Sequence, residues 1–338
     1  MDFSDTGKKS ITRRRGDAEE KIRQKLAFWF KRHGRNLPWR RTRDPYAIMV
    51  SEFMLQQTTV AAVIPYFERW MARFPTVRAL ADADEQAVLT LWQGLGYYSR
   101  ARNLHAAARA VVQRPGGKVP ASVDDLRSLP GVGEYTAAAV AAFAFDAVEP
   151  VVDANIARVL ARLKNWPKAV GDAAGKIFLR DAAMALLPKS GGRLHNSALM
   201  ELGALICVAR KPQCGDCPVN DECLARRPEL IPVRRVRKAV EEVGDTRMFV
   251  FHRGKIWLEP SEGPRWRGMW VLPGMVNSSG EPAHVEIYPI TRFRVTMEVF
   301  SGSRKGTKMS GFPPEDLPPM PSPHRRAVAA MLRKRHGS

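Results

Sequence analysis

Four cysteines, Cys207, Cys214, Cys217 and Cys223, lie in one short run with C-x6-C-x2-C-x5-C spacing, and the chain has no others. Thiolates that close together can wrap a single compact centre, whereas a disulfide framework would spread its cysteines over the fold. The candidates are an iron–sulfur cluster and a four-thiolate zinc site. Zinc sites usually present two C-x2-C knuckles and this run has one, which favours the cluster. A second group is Leu129-Pro130-Gly131-Val132-Gly133, placed between two helical patterns. Gly131 and Gly133 permit positive φ, so successive amides can point outward at a helix N-terminus and grip a phosphate. A plain interhelical turn would look similar. Asp153 follows about 20 residues later, just ahead of another helix, where it suits an N-cap. Glu52 completes the set. It sits among Met49, Val50, Phe53 and Met54, and burial there would raise its pKa and keep it protonated near neutral pH.

The elements that must position these groups are helical from about 18 to 225. Ile22, Leu26, Trp29 and Phe30 form one apolar face. Asp44 before Pro45 opens a helix through Gln57, and Asp82 with Glu85 starts another that Gly94 stops. Further helices are expected near 98–113, 134–146, 155–163, 172–187 and 195–208. Residues 1–17 read as a disordered basic tail. Residues 226–244, with Arg226, Arg227, Arg234, Arg235, Arg237 and Lys238, read as a basic linker. Beyond it, 248–252 and 255–259 form a hairpin around Arg253-Gly254, 285–289 and 293–300 are strands, and 325–334 is a terminal helix. A mainly α domain therefore precedes a smaller α+β domain.

The chain has 338 residues, long enough for two cores, and its net charge of +20 favours a polyanionic partner. Its hydrophobic fraction of 45% excludes wholesale disorder. No apolar run is long enough for a membrane span, and no apolar segment follows the basic N-terminus as a signal sequence would require. The expectation is a cytoplasmic, nucleoid-associated protein of prokaryotic origin that does not engage membranes.

The hairpin, the following aspartate and the cysteine spacing together resemble the endonuclease-III-type superfamily of DNA glycosylases. Four further segments narrow the resemblance to the adenine DNA glycosylases of the MutY type. They are Leu37-Pro38-Trp39-Arg40, Ser51-Glu52-Phe53-Met54-Leu55-Gln56-Gln57-Thr58, Gly94-Leu95-Gly96-Tyr97-Tyr98-Ser99-Arg100 and Met200-Glu201-Leu202-Gly203-Ala204. The resemblance implies a two-lobed all-α helix–hairpin–helix domain over 18–225, holding a [4Fe–4S] cluster on the loop 207–223. A small Nudix-like, MutT-related α+β domain follows over 245–338. It further implies removal of adenine opposite 8-oxoguanine or guanine in double-stranded DNA, by a protein acting as a monomer.

Residue by residue, the resemblance makes Glu52 the acid at adenine N7 and Asp153 the carboxylate beside the sugar cation, as glycosidic cleavage requires. Tyr135 stands where strand-nicking relatives carry lysine, which implies a monofunctional enzyme. The resemblance gives it a hydrogen-bonding role beside Asp153 and Asn155. Trp39, Arg40, Leu55 and Glu201 match the adenine pocket. Gln57, Thr58, Leu95 and Tyr97 match positions that wedge the stack and support the partner base, since a base must leave the duplex to be reached. Two departures stand out: Ala154 replaces the usual glycine, and Ile290-Thr291-Arg292 stands where an aromatic-hydroxyl-histidine triplet contacts the oxidised base. The segment Arg265-Trp266-Arg267-Gly268-Met269-Trp270-Val271-Leu272-Pro273 resembles the family's glycine-tryptophan-proline segment, while the glutamate-rich helix of Nudix hydrolases is missing. Two other readings compete: a mismatch thymine glycosylase acting at G:T, and a non-catalytic iron–sulfur DNA-binding protein.

Overall fold

In the computed structural model, the described residues are 5–233, 239–263, 266–275, 279–303 and 308–336, with side chains from 16 to 335. Among the described residues, eleven α-helices precede the sheet. They are α1 (Asp5–His33), α2 (Pro45–Leu55), α3 (Val60–Arg73), α4 (Val77–Ala81), α5 (Glu85–Trp92), α6 (Ser99–Gln113), α7 (Val123–Arg127), α8 (Glu134–Phe145), α9 (Ala154–Leu163), α10 (Ala173–Leu186) and α11 (Gly192–Leu205). Contacts divide the chain into two compact units, Met1–Glu52 with Lys118–Val236, and Phe53–Gly117 with Arg237–Ser338.

Side-chain caps set most helix starts. Thr76, Ser122, Asp153 and Asp172 each accept a backbone N–H of the following turn. The start of α5 corrects the sequence expectation. Asp84 is its cap, accepting Gln86 N at 2.8 Å, while Asp82 closes α4. Helix α2 also stops before Gln57, which takes φ of 57° and cannot continue it. Residues 5–17, expected as a tail, lie in α1. Residues 1–4 of that tail, and Arg234, Arg235, Arg237 and Lys238 of the linker, lie outside the described residues.

The first unit packs α1, α9, α10 and α11 around Leu26, Trp29, Leu160, Leu163, Leu186, Leu199 and Leu202. Val219 joins this core, and Cys207, Cys217 and Cys223 pack against it, so the cysteine loop rests on the same apolar surface. Helix α8 is alanine-rich and buried on nearly every side, which lets neighbouring backbones approach closely.

In the second unit, Trp70 meets Phe74 and Trp92 edge-on at ring-centroid distances of 5.3 and 5.5 Å within α3–α6. The same unit holds β1 (Glu241–His252), β2 (Lys255–Pro260), β3 (Trp270–Val271), β4 (His284–Ile290), β5 (Phe293–Ser301), β6 (Ser310–Phe312) and α12 (Ser322–His336). The sheet order is β3-β2-β1-β5-β4, with β6 on β2; β1 and β5 are parallel and the other pairs antiparallel. Arg253 and Gly254 both take positive φ, the two-residue turn that matches strand twist. Strand β1 starts at Glu241, inside the expected linker, because nine of its residues ladder with β5. Helix α12 packs Ala327, Val328 and Met331 onto Ile256, Leu258, Met297 and Val299.

Candidate active site and cysteine centre

Glu52, in α2, is 4% exposed. Tyr135, in the first turn of α8, donates its hydroxyl to Glu52 Oε2 at 3.0 Å. Burial pushes the Glu52 carboxyl up to about 7; the nearby Asp153 charge adds to this, while the Tyr135 hydrogen bond and Arg40 oppose it. Burial and the two carboxylates hold the Tyr135 phenol well above its ordinary value, so it remains a donor.

Asp153 caps α9, its Oδ1 accepting Ile156 N at 2.7 Å and its Oδ2 accepting Asn155 Nδ2 at 2.9 Å. Burial raises its pKa against those hydrogen bonds. Ala154 follows inside the helix and is not among the residues with positive φ, so the usual glycine is not needed. The resemblance gives Tyr135 a hydrogen-bonding role beside Asp153 and Asn155, and the acceptor of its hydroxyl is Glu52. Donors of α9 itself already hold both Asp153 oxygens, and the phenol turns to Glu52. One carboxyl is thus biased toward its neutral, proton-donating form beside a second held by three donors in all, counting the Asn155 backbone N–H.

The turn Leu129–Gly133 links α7 to α8. Gly131 takes φ of 72°, but Gly133 is extended at φ of −87°, so only the first glycine uses the left-handed region. Buried Leu129 and Val132 anchor the turn. No side chain caps the N-terminus of α8, and a Cβ at Gly133 would meet nothing within 4 Å. Open amides facing open space suit an anion.

Cys207, Cys214, Cys217 and Cys223 are all half-buried and unbridged. Burial pushes the Cys217 thiol up to about 11, with the other three thiols adding repulsion. Burial and the neighbouring thiols raise Cys223 as well, and thiols that repel one another in this way are of the type that a shared cation would neutralise. Arg162, 1% exposed, donates to Cys207 Sγ at 3.2 Å and to the carbonyls of Cys207, Val208, Ala209 and Ile231. Arg158 spans from Asn155 Oδ1 (2.9 Å) to the carbonyls of Gly203 and Cys207, both at 2.7 Å. Lys25 of α1 pairs with Asp221 and Glu222. None of these partners was visible in the sequence, although arginines four apart in an amphipathic helix were a usable signal.

Glu201 is fully buried in α11. Arg35 grips it in a two-pronged pair, 2.9 Å on each oxygen, and Arg40 adds a bond of 2.9 Å. Burial alone would raise its pKa, but these bonds hold it at about 2. Of the expected pocket residues, Trp39 is 8% exposed and Leu55 half-buried, while Arg35 went unnoticed.

In the second unit Gln57 and Tyr97 are exposed, with φ of 57° and 49°. Thr58 is half-buried and bonded by Arg100. Leu95, matched with these residues to positions that wedge the stack and support the partner base, is 7% exposed. Ile290-Thr291-Arg292 forms the tip of the β4–β5 hairpin. Thr291 has φ of 52°, and Arg292 pairs with Glu241 at 3.2 Å. A cleft of about 430 Å³ is lined by Tyr97, Tyr98, Trp266, Tyr288, Ile290 and Thr291, among others. Arg265 lies outside the described residues.

Residues 50–177 match the HhH-GPD superfamily of base excision DNA repair proteins, and 207–223 match the iron–sulfur binding domain of endonuclease III. The chain is 44% identical over 219 residues to an adenine DNA glycosylase of Rattus norvegicus, covering 61% of this chain but 42% of that protein. It therefore spans about two fifths of the mammalian relatives it matches. The adenine DNA glycosylase of Mycolicibacterium smegmatis is 42% identical over 68% of this chain and 77% of its own length. That of Buchnera aphidicola subsp. Acyrthosiphon pisum is 31% identical over 75% and 74%. Among solved structures, a thermostable thymine-DNA glycosylase superposes with a TM-score of 0.54 at 29% identity. It covers 62% of this chain and 96% of the other. A non-covalent endonuclease III–DNA complex gives 0.53 at 25% identity with the same coverage.

Proposed function

The chain belongs to the adenine DNA glycosylase family, and on that premise we propose that it removes adenine mispaired with 8-oxoguanine or guanine in double-stranded DNA by monofunctional hydrolysis. The observation that carries this is the buried Glu52 carboxyl, raised to about 7 beside the hydrogen-bonded Asp153. Glu52 gives its proton to N7 of the extruded adenine. The C1′–N9 bond then breaks, its electrons leaving with the base. Asp153, held as an anion by Ile156 and Asn155, stabilises the sugar cation. Water adds to C1′ and returns a proton to Glu52, leaving an abasic site. With Tyr135 in place of an amine, no Schiff base forms and the strand is not nicked.

Cys207, Cys214, Cys217 and Cys223 would hold the [4Fe–4S] cluster, which supplies a rigid crosslink over the 207–223 loop. Arg158 ties that loop to Asn155. Gly131, Gly133 and the α8 amides take a phosphate, while Trp39 and Arg40 belong to the base pocket that Glu201 braces. Residues 245–338 serve as a Nudix-like reader of the partner base. The 430 Å³ cleft beside Tyr97 and Thr291 supports that role, with the Thr291 hydroxyl and apolar walls in place of the usual triplet. The protein acts as a monomer on the nucleoid, its helical part ending near 225 ahead of a basic linker.

Single-turnover assays on duplexes with A opposite 8-oxoguanine, G or C, and T opposite G, test this. Strand breaks that appear only after alkali, are strongest for A opposite 8-oxoguanine, and fall roughly 10²–10⁴-fold in Glu52→Gln are expected. Thymine release from T:G would favour the thymine glycosylase reading. Tight binding without release of any base would leave a DNA-binding iron–sulfur protein.

A further inference from the structure

Arg100 is 6% exposed, and all its acceptors are uncharged. Nη1 donates to the carbonyls of Phe53 (2.9 Å), Met54 (2.8 Å) and Gln56 (2.5 Å). Nη2 donates to Thr58 Oγ1 (3.2 Å) and to the carbonyls of Leu95 (3.0 Å) and Gly96 (3.1 Å). The guanidinium also lies 5.3 Å from the Trp92 ring and 5.6 Å from the Tyr97 ring. Burial pulls its pKa down to about 10, against which only the Tyr97 phenol acts.

Those acceptors belong to the last turn of α2, through Phe53 and Met54, and to two loops. One follows α2, whose last carbonyls have no partner within the helix and favour a cation. The other leads into α6. Each loop presents one exposed non-glycine residue in the left-handed region, Gln57 and Tyr97, a conformation that persists only where surrounding bonds enforce it. A planar fork can reach both sets of carbonyls at once; an ammonium cannot.

We propose that Arg100 is a positioning residue that joins the Gln57–Thr58 and Leu95–Tyr97 loops into one rigid wedge, so that the two loops drive base extrusion as a unit. This rests on the glycosylase reading above. Rigid placement of both loops is then the role of one side chain that itself touches no DNA.

The test follows extrusion by stopped-flow fluorescence of 2-aminopurine beside the target adenine, in the wild-type protein and in Arg100→Lys and Arg100→Met. It is paired with affinity for a duplex already carrying an abasic analogue, and with melting temperature. Arg100→Lys is expected to slow extrusion roughly 10²-fold. Its affinity for the abasic duplex stays near wild type, while its melting temperature falls because buried carbonyls lose their donor, and extrusion is read well below that temperature. Gln57→Ala and Tyr97→Ala are expected to be non-additive in the wild-type background and additive in Arg100→Lys. Extrusion at the wild-type rate in both Arg100 variants would overturn the inference alone. So would a loss of extrusion matched by an equal loss in abasic-duplex affinity. Absence of extrusion by the wild-type protein would overturn the glycosylase reading and this inference with it.

Discussion

At the residue scale the site turns on two carboxyl groups with opposite tasks. Glu52 must be protonated and Asp153 ionised, so the rate of base release should follow a bell-shaped pH profile. Its alkaline limb lies near 7, where Glu52 loses its proton. Its acid limb lies above the ordinary aspartate range, because burial raises Asp153. The Glu52 shift also bears on stability. Between the unperturbed 4.5 and about 7 the folded state holds a proton that the unfolded chain has released. This group's contribution is therefore fully present below pH 4.5 and is lost as pH rises through about 7, a difference of about 3 kcal/mol. Glu52→Gln should lower base release by the same roughly 10²–10⁴-fold yet gain melting temperature over the wild type, more at pH 8 than at pH 5. Equal gains at both pH values would contradict the assigned burial.

At the element scale, the position of Asp153 depends on how closely α11 approaches α9. A Cβ at Gly203 would lie 2.7 Å from Asn155 Cβ and 2.9 Å from the Asn155 carbonyl oxygen. Backbone has to shift to relieve that, and the shift falls on the turn that carries Asp153 and Asn155. Gly203→Ala should destabilise the fold by about 1–3 kcal/mol and lower single-turnover rate by more than the stability loss explains. The check is activity measured well below the melting temperature. Arg158 crosses the same contact, from Asn155 to the carbonyls of Gly203 and Cys207, so a displaced α9 also strains the cysteine loop.

At the scale of the whole molecule, the excess of 20 positive charges acts as a field. Much of the basic surface, such as Arg32, Lys176 and Arg180, is exposed. Binding to undamaged duplex should therefore weaken roughly 10³-fold or more between about 50 and 200 mM salt, if at least six phosphates are contacted. The preference for A opposite 8-oxoguanine over an A:T pair should change far less, because base contacts rather than phosphates carry it. A specificity ratio that collapses with the affinity would mean that charge, not the pocket, selects the target. No helix among the described residues is long and apolar enough to cross a membrane.

The sequence alone determined what is local. Helix caps at Asp44 and Asp153, the cysteine run, the Arg253-Gly254 turn and the amphipathic faces of α1 and α9 are all set by residues within a few positions of one another. Their spacing encodes the geometry directly. The buried setting of Glu52 was legible for the same reason. Tertiary structure decided the partners. Tyr135 and Glu52 are 83 residues apart, and Arg35 and Glu201 are 166 apart, distances over which no sequence pattern specifies contact. Packing also decided that Gly131 alone takes positive φ, that Leu95 is buried, and that one buried guanidinium serves two loops. Such choices are made by which donors remain unsatisfied once helices meet, a condition that exists only in the folded chain.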